Sequence, residues 1–200
     1  MAMTHDTLLA LLGFALAASI TPGPNNMMVF ASTVNFGFLR TLPHISGVVC
    51  GFAILMAGVG AGLGAVITAF PPILVFAKIA GALYLLWIAW KIGTTRKMAS
   101  GEATTGRPLS FLQAAGFQWV NPKGWIMALT AMSVFTDPAQ YGRSVVIVAV
   151  VFGLITIPSI SLWAGFGSGL RHWLSYGNRL KWFNIVMALV LVASLWPMLR

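Results

Sequence analysis

Two short stretches combine helix breakers with residues that bind anions, and each interrupts an apolar run. The first is Thr21-Pro22-Gly23-Pro24-Asn25-Asn26, and the second is Asn121-Pro122-Lys123, followed by Gly124-Trp125. Pro22 and Pro24 have no N–H, so the carbonyls of Ala18 and Ile20 lose their helical partners, and Gly23 between them lets the backbone leave helical geometry. A helix that restarts after such a break exposes the N–H groups of its first turn at the positive end of its dipole, a ready site for a carboxylate. Asn121 as N-cap and Pro122 at the first helical position suit a second restart, and Lys123 adds a full charge there. Asn25 and Asn26 either offer amide donors and acceptors to a zwitterion or cap the first restarted helix. The candidate substrate-binding residues are therefore Thr21, Pro22, Gly23, Pro24, Asn25, Asn26, Asn121, Pro122 and Lys123. Candidate proton carriers are Lys123 and His44.

The elements that must hold these residues are membrane helices. With 58% hydrophobic and 8% charged side chains, the chain lies far from soluble proteins, in which about a quarter of residues are charged. Six windows are long enough to span a bilayer, roughly 7–31, 42–67, 72–92, 109–134, 144–167 and 182–199. The expectation is an all-α integral membrane protein of six transmembrane helices, with helices 1 and 4 broken at the two polar stretches. Freed backbone groups in hydrocarbon cost several kcal/mol each, so such breaks persist only where they pack in protein or line a polar cavity. Gly47 and Gly51, then Gly58, Gly60, Gly62 and Gly64, favour close helix packing in the second span. Pro158 is expected to kink the fifth.

The hydrophilic stretch 93–108 divides the chain into a first repeat over about 1–92 and a second over about 109–200, within one transmembrane domain. With the N-terminus outside, Arg40, Lys91, Arg96, Lys97, Arg107, Arg171, Arg179 and Lys181 all fall in inner loops, whereas Arg143 and Arg200 fall outside. That asymmetry places both termini outside. Each half holds three spans, an odd number, so the halves lie in opposite orientations as two inverted three-helix repeats, a plan common among secondary transporters.

The net charge of +9 reflects a scarcity of acids, since only Asp6, Glu102 and Asp137 are acidic. No basic stripe interleaved with aromatics is present, so nucleic acid is excluded as a partner. Three separated His residues make poor metal ligands, and no cofactor motif occurs. His44 and Asp137 read as solvated interfacial groups, and Lys78 as a snorkelling one. The lone Cys50 excludes an internal disulfide and reads as a small buried residue. No Lys or Arg precedes the first apolar run, which argues against a cleavable signal peptide. A membrane-embedded hydrolase would need a framed nucleophile, and Ser159, Ser161 and His44 have no such motif around them. A scaffold protein would not need two mid-span breaks.

Along nearly its whole length the chain resembles the lysine-exporter (LysE/RhtB) family of amino-acid exporters. The resemblance rests on Thr21-Pro22-Gly23-Pro24-Asn25-Asn26, on Gly81-Ala82-Leu83-Tyr84-Leu85-Leu86-Trp87, and on Phe111, Gly116-Phe117 and Asn121-Pro122-Lys123, in that order. It implies six spans in the bacterial inner membrane and proton-driven export of amino acids or close derivatives. The wording Phe117-Gln118-Trp119-Val120-Asn121-Pro122 is most similar to the branch that exports cysteine, O-acetylserine and other small neutral amino acids. No acidic residue lies inside any span, so a dibasic substrate such as lysine has no evident partner for its second charge. The expected partners are a small amino acid, protons and the lipid bilayer, with a homo-oligomer left open.

Overall fold

The computed structural model describes residues 4–99 and 106–196, and among them every regular element is helical. The chain runs α1 (His5–Ile20), α2 (Pro24–Phe36), α3 (Phe38–Gly58), α4 (Gly64–Ala69), α5 (Pro71–Thr94), α6 (Phe111–Phe117), α7 (Pro122–Phe135), α8 (Tyr141–Leu174) and α9 (Arg179–Ala193). The middle of the linker expected over 93–108 and the end of the window 182–199 lie outside the described residues.

Both breaks form where the sequence places them. α1 and α2 meet at an angle of 51°, and α2 begins with Pro24 at its first position. α6 passes through a 3-10 turn, Gln118–Val120, before Asn121 opens α7 with Pro122. Three helical stretches, 38–66, 75–94 and 138–174, are long and apolar enough to cross a membrane, and the bent α1–α2 pair makes a fourth. α9, at 15 residues, rises only about 22 Å against a hydrocarbon core of about 30 Å. By length and composition the described residues give up to four spans, and α6, α7 and α9 are each too short to cross alone.

The second window is not one uninterrupted helix. A π-helical turn, Val59–Leu63, separates α3 from α4, and Gly62 within it has φ +106°. That conformation costs little without a Cβ, so this glycine serves a bend rather than packing. Gly60 does pack: a Cβ there would meet Val145 and Met132 of the facing helices. Gly47 and Gly51 also behave as expected, because a Cβ on them would run into Phe111, Ala114 and Ala115 of α6. Gly167 of α8 lies equally close to Phe30 and Thr33 of α2. Cys50, by contrast, is exposed on the outer face of α3.

α8 is the central strut, with α1, α2 and α3 packed on it, while α5 pairs with α9 and α3 with α6. One buried cluster gathers Met28, Val48, Leu85, Phe117, Ile160 and Met187, and a second gathers Leu11, Phe52, Leu55, Trp125 and Phe152. The outer surface is apolar, with Leu39, Phe76, Leu112, Leu154 and Leu189 all more than 60% exposed. Such a belt suits lipid and would be a liability in water.

Candidate functional site

The two breaks face each other across a cleft that lies where the two core clusters meet, with Val48 and Ile160 from one and Phe52 from the other in its wall. Of the nine residues expected to bind substrate, Gly23, Pro24, Asn25, Asn26, Asn121 and Lys123 line it. Thr21 and Pro22 are exposed, and neither they nor Pro122 are in the lining. Pro22 and Pro122 shape the breaks, and Thr21 contributes its main chain.

Three of the main-chain carbonyls at the first break, those of Ser19, Ile20 and Thr21, find side-chain donors. The Ile20 carbonyl, deprived of a donor by Pro24, accepts from Trp163 Nε1 at 3.1 Å. Asn26 Nδ2 donates to the carbonyls of Ser19 (2.8 Å) and Thr21 (3.1 Å). The Thr21 hydroxyl donates back to Ala17. Asn26 therefore caps neither end in the usual sense; it satisfies the last carbonyls of α1 from within α2. Asn25 forms a reciprocal amide pair with Gln118, at 2.7 and 3.0 Å, and Gln118 Nε2 also donates to the Ala114 carbonyl at 2.9 Å. This pair locks the first break to the second. Gln118 is fully buried, and its signal in the sequence is only that of an amide inside an apolar run.

Lys123 Nζ donates to the Thr21 carbonyl at 2.8 Å, so its ammonium rests at the negative end of the α1 dipole. To reach it the side chain crosses Gly23, where a Cβ would stand 2.9 Å from Lys123 Cδ and 3.0 Å from Nζ. Gly23 itself is extended, with φ −168° and ψ 174°, a conformation open to any residue. The backbone leaves helical geometry at Gly23 as expected, but what is particular to glycine there is the space it leaves for Lys123. Asn121 occupies the N-cap position of α7 but makes no side-chain cap, and its Oδ1 has no partner although the residue is 2% exposed. Ser19 and Thr156, which the sequence reading missed, also line the cleft with buried, unpartnered hydroxyls. In each restarted helix the first-turn N–H groups, those of Asn25 and Asn26 and of Lys123 and Gly124, have no intrahelical acceptor.

His44 is not in this cleft. It lines a second cavity with Met28, Ser32 and Asn35, is 1% exposed, and has neither ring nitrogen paired. The expectation of a solvated interfacial histidine is corrected, because α3 turns this face toward α2 and away from the surface. Asn35 and Asn184 form a second reciprocal amide pair, at 2.8 and 3.0 Å, between α2 and α9. No group of three or more His, Cys, Asp or Glu that could hold a metal occurs among the described residues.

The family model described as LysE type translocator matches residues 16–193, a span that includes both breaks. The chain belongs to this family. Curated relatives include the cysteine/O-acetylserine efflux protein of Escherichia coli O1:K1, 34% identical over 195 residues, covering 95% of this chain and 96% of the relative. The protein of the same name from Salmonella typhi is 34% identical over 198 residues with the same coverage. No solved structure matches the chain. The LysE-type assignment agrees with the apolar, helical, multi-pass character of the fold.

Proposed function

We propose that this LysE-type protein is a secondary active exporter of small neutral amino acids or their derivatives, working in the bacterial cytoplasmic membrane and coupled to protons. The observation that carries the reading is the cleft in which Lys123, two helix N-termini and the unpartnered Asn121 Oδ1 converge. A substrate carboxylate that leaves water must find donors or suffer a penalty of several kcal/mol. Lys123 and the first-turn N–H groups of α2 and α7 supply them at fixed geometry, while Asn121 Oδ1 accepts from the substrate ammonium. Lys123 is the only charged residue in the lining, so a zwitterion is accommodated and a second positive charge is not. The curated relatives' names point to the same substrate class. Proton exchange at Lys123 or at His44 then couples binding to the gradient, with a protonated Lys123 holding the carboxylate and a deprotonated one releasing it.

The reading includes six helical passes in two inverted repeats, the interrupted α6–α7 pair and the short α9 completing the four spans. Two features support it. α1 packs on α8 as α6 packs on α3, which is the exchange of partners an inverted repeat requires. Lys91 also sits over Trp87 at 4.6 Å, and Arg179 over Trp173 at 4.6 Å, so cation–aromatic pairs gather at the ends assigned to the inner interface. Reporter fusions are expected to place 93–108 inside and both termini outside; a cytoplasmic C-terminus overturns the repeat plan.

The test of the function is flux in sealed vesicles holding the purified protein. Labelled small neutral amino acids are expected to move chemically unchanged, faster under an imposed proton gradient. Movement independent of the protein, or covalent conversion of the label, overturns the reading.

A further inference from the structure

Five hydroxyls on the helices or at their ends share one habit. Thr33 donates to Val29 at 2.8 Å, Thr41 to Gly37 at 2.8 Å, Thr94 to Trp90 at 2.8 Å, Thr136 to Met132 at 2.5 Å and Ser144 to Gln140 at 3.2 Å. Each hydroxyl uses the carbonyl four residues back, the partner a helix always offers. Ser19 on α1 and Thr156 on α8 have the same local option and do not take it. They are 9% and 8% exposed, their oxygens have no partner, and both line the central cleft beside Asn121. Ser159 is unpartnered too, but it is absent from the lining.

A buried hydroxyl without a partner is destabilising, and each such group calls for an explanation. A ligand that completes it is the explanation the location offers. Apart from the residues of the two breaks the wall is apolar, with Ala18, Val48, Phe52, Met127 and Ile160, so these two oxygens are what remains to distinguish a polar side chain from an alkyl one.

We propose that Ser19 and Thr156 form the side-chain end of the substrate cleft and select amino acids whose short side chain carries a hydroxyl, thiol or ester over those with an alkyl group of the same size. The assignment rests on the amino-acid reading above and deepens it. Each hydroxyl can donate to or accept from the substrate heteroatom, and an alkyl analogue leaves both unpaired. A site built to hydrogen-bond a polar group rejects the analogue that lacks it far better than an apolar pocket rejects a polar isostere.

The test is competition against a labelled amino acid for binding to the full-length protein in lipid vesicles, with serine and cysteine set against alanine and 2-aminobutyrate. The wild type is expected to favour cysteine over 2-aminobutyrate by roughly tenfold or more. Ser19→Ala with Thr156→Val should bring that ratio to about one. Thr156→Ser, which keeps the oxygen, should preserve it. A wild-type ratio near one overturns the proposal, as does an unchanged ratio in a double variant whose thermal unfolding is intact; if that variant does not fold, Ser19→Ala alone must lower the ratio. Lys123→Met separates the two readings. If it abolishes binding of all four amino acids while the ratio is insensitive to Ser19 and Thr156, the side-chain assignment fails and the carboxylate reading stands. If no amino acid binds even the wild type, the amino-acid reading itself fails.

Discussion

The ammonium of Lys123 donates to the carbonyl of Thr21 at 2.8 Å across 102 residues of sequence. The contact joins the start of one restarted helix to the end of the helix before the other break. A neutral carbonyl is a weaker partner for an ammonium than a carboxylate is, so an arriving substrate can displace it and free Thr21 to its second donor, Asn26. Lys123→Met is expected to fold, since it removes a half-buried charge and leaves Thr21 the Asn26 bond, yet to export at less than roughly a tenth of the wild-type rate. Lys123→Arg should also be impaired, because a guanidinium keeps its proton. Vesicle flux with thermal unfolding as control checks both, and wild-type flux in Lys123→Met would sink the role.

Gly23→Ala tests the same contact from the other side. The new Cβ would meet Lys123 Cδ at 2.9 Å and Nζ at 3.0 Å, and the far end of a lysine can swing away. The backbone at Gly23 tolerates alanine, so stability should change by less than about 1 kcal/mol. The ammonium leaves the Thr21 carbonyl, and affinity for substrate should fall by roughly tenfold, about 1.4 kcal/mol. Binding isotherms on the two proteins decide it. Normal affinity would mean that the position of Lys123 over Gly23 is incidental.

These two residues show where sequence reading succeeds and where it stops. Pro22, Pro24 and Pro122 act on their own carbonyl and N–H neighbours, so the breaks and the start of α7 were legible from local chemistry. The reason for Gly23 was not, because its neighbour is Lys123 and only folding brings the two together. Asn25 and Asn26 were legible as polar residues at a break. Their partners were not: Gln118 lies 93 residues away, and the Ser19 and Thr21 carbonyls become acceptors only after the chain turns through 51°. Ser19 and Thr156 carry no motif at all. Their significance comes from bonds they fail to make. His44 is buried and Cys50 exposed, the reverse of the expectation for each, since which face of α3 meets α2 is decided by packing.

The Asn25–Gln118 pair should be energetically coupled. Asn25→Ala leaves Gln118, fully buried, with an unpaired carbonyl oxygen, a cost of about 1–3 kcal/mol. Gln118→Leu similarly strands Asn25, though less severely because Asn25 is only half-buried. Removing both should cost less than the two single changes added together, with a coupling energy of roughly 1 kcal/mol or more. Thermal or denaturant unfolding in one detergent gives the cycle. Strict additivity would mean that the two breaks are not held together by this pair.

Replacing both Pro22 and Pro24 with Ala should stabilise the first segment and abolish transport together. The N–H restored at position 24 can donate to the Ile20 carbonyl and the one at position 22 to Ala18, closing the helix through the break. Each regained bond contributes a net of about 0.5–1.5 kcal/mol. Trp163 Nε1, which now donates to Ile20 at 3.1 Å, loses its acceptor, and the straightened helix carries Asn25 and Asn26 off the cleft wall. Trp163→Phe separates the two effects, because it removes the donor without closing the break and so should lower stability while leaving measurable export. The expected pattern is export below roughly a tenth of wild type for the alanine pair, and lower stability with measurable export for Trp163→Phe. If the alanine pair instead transports at the wild-type rate, the break is only a structural bend, and the site that carries substrate lies elsewhere in the fold.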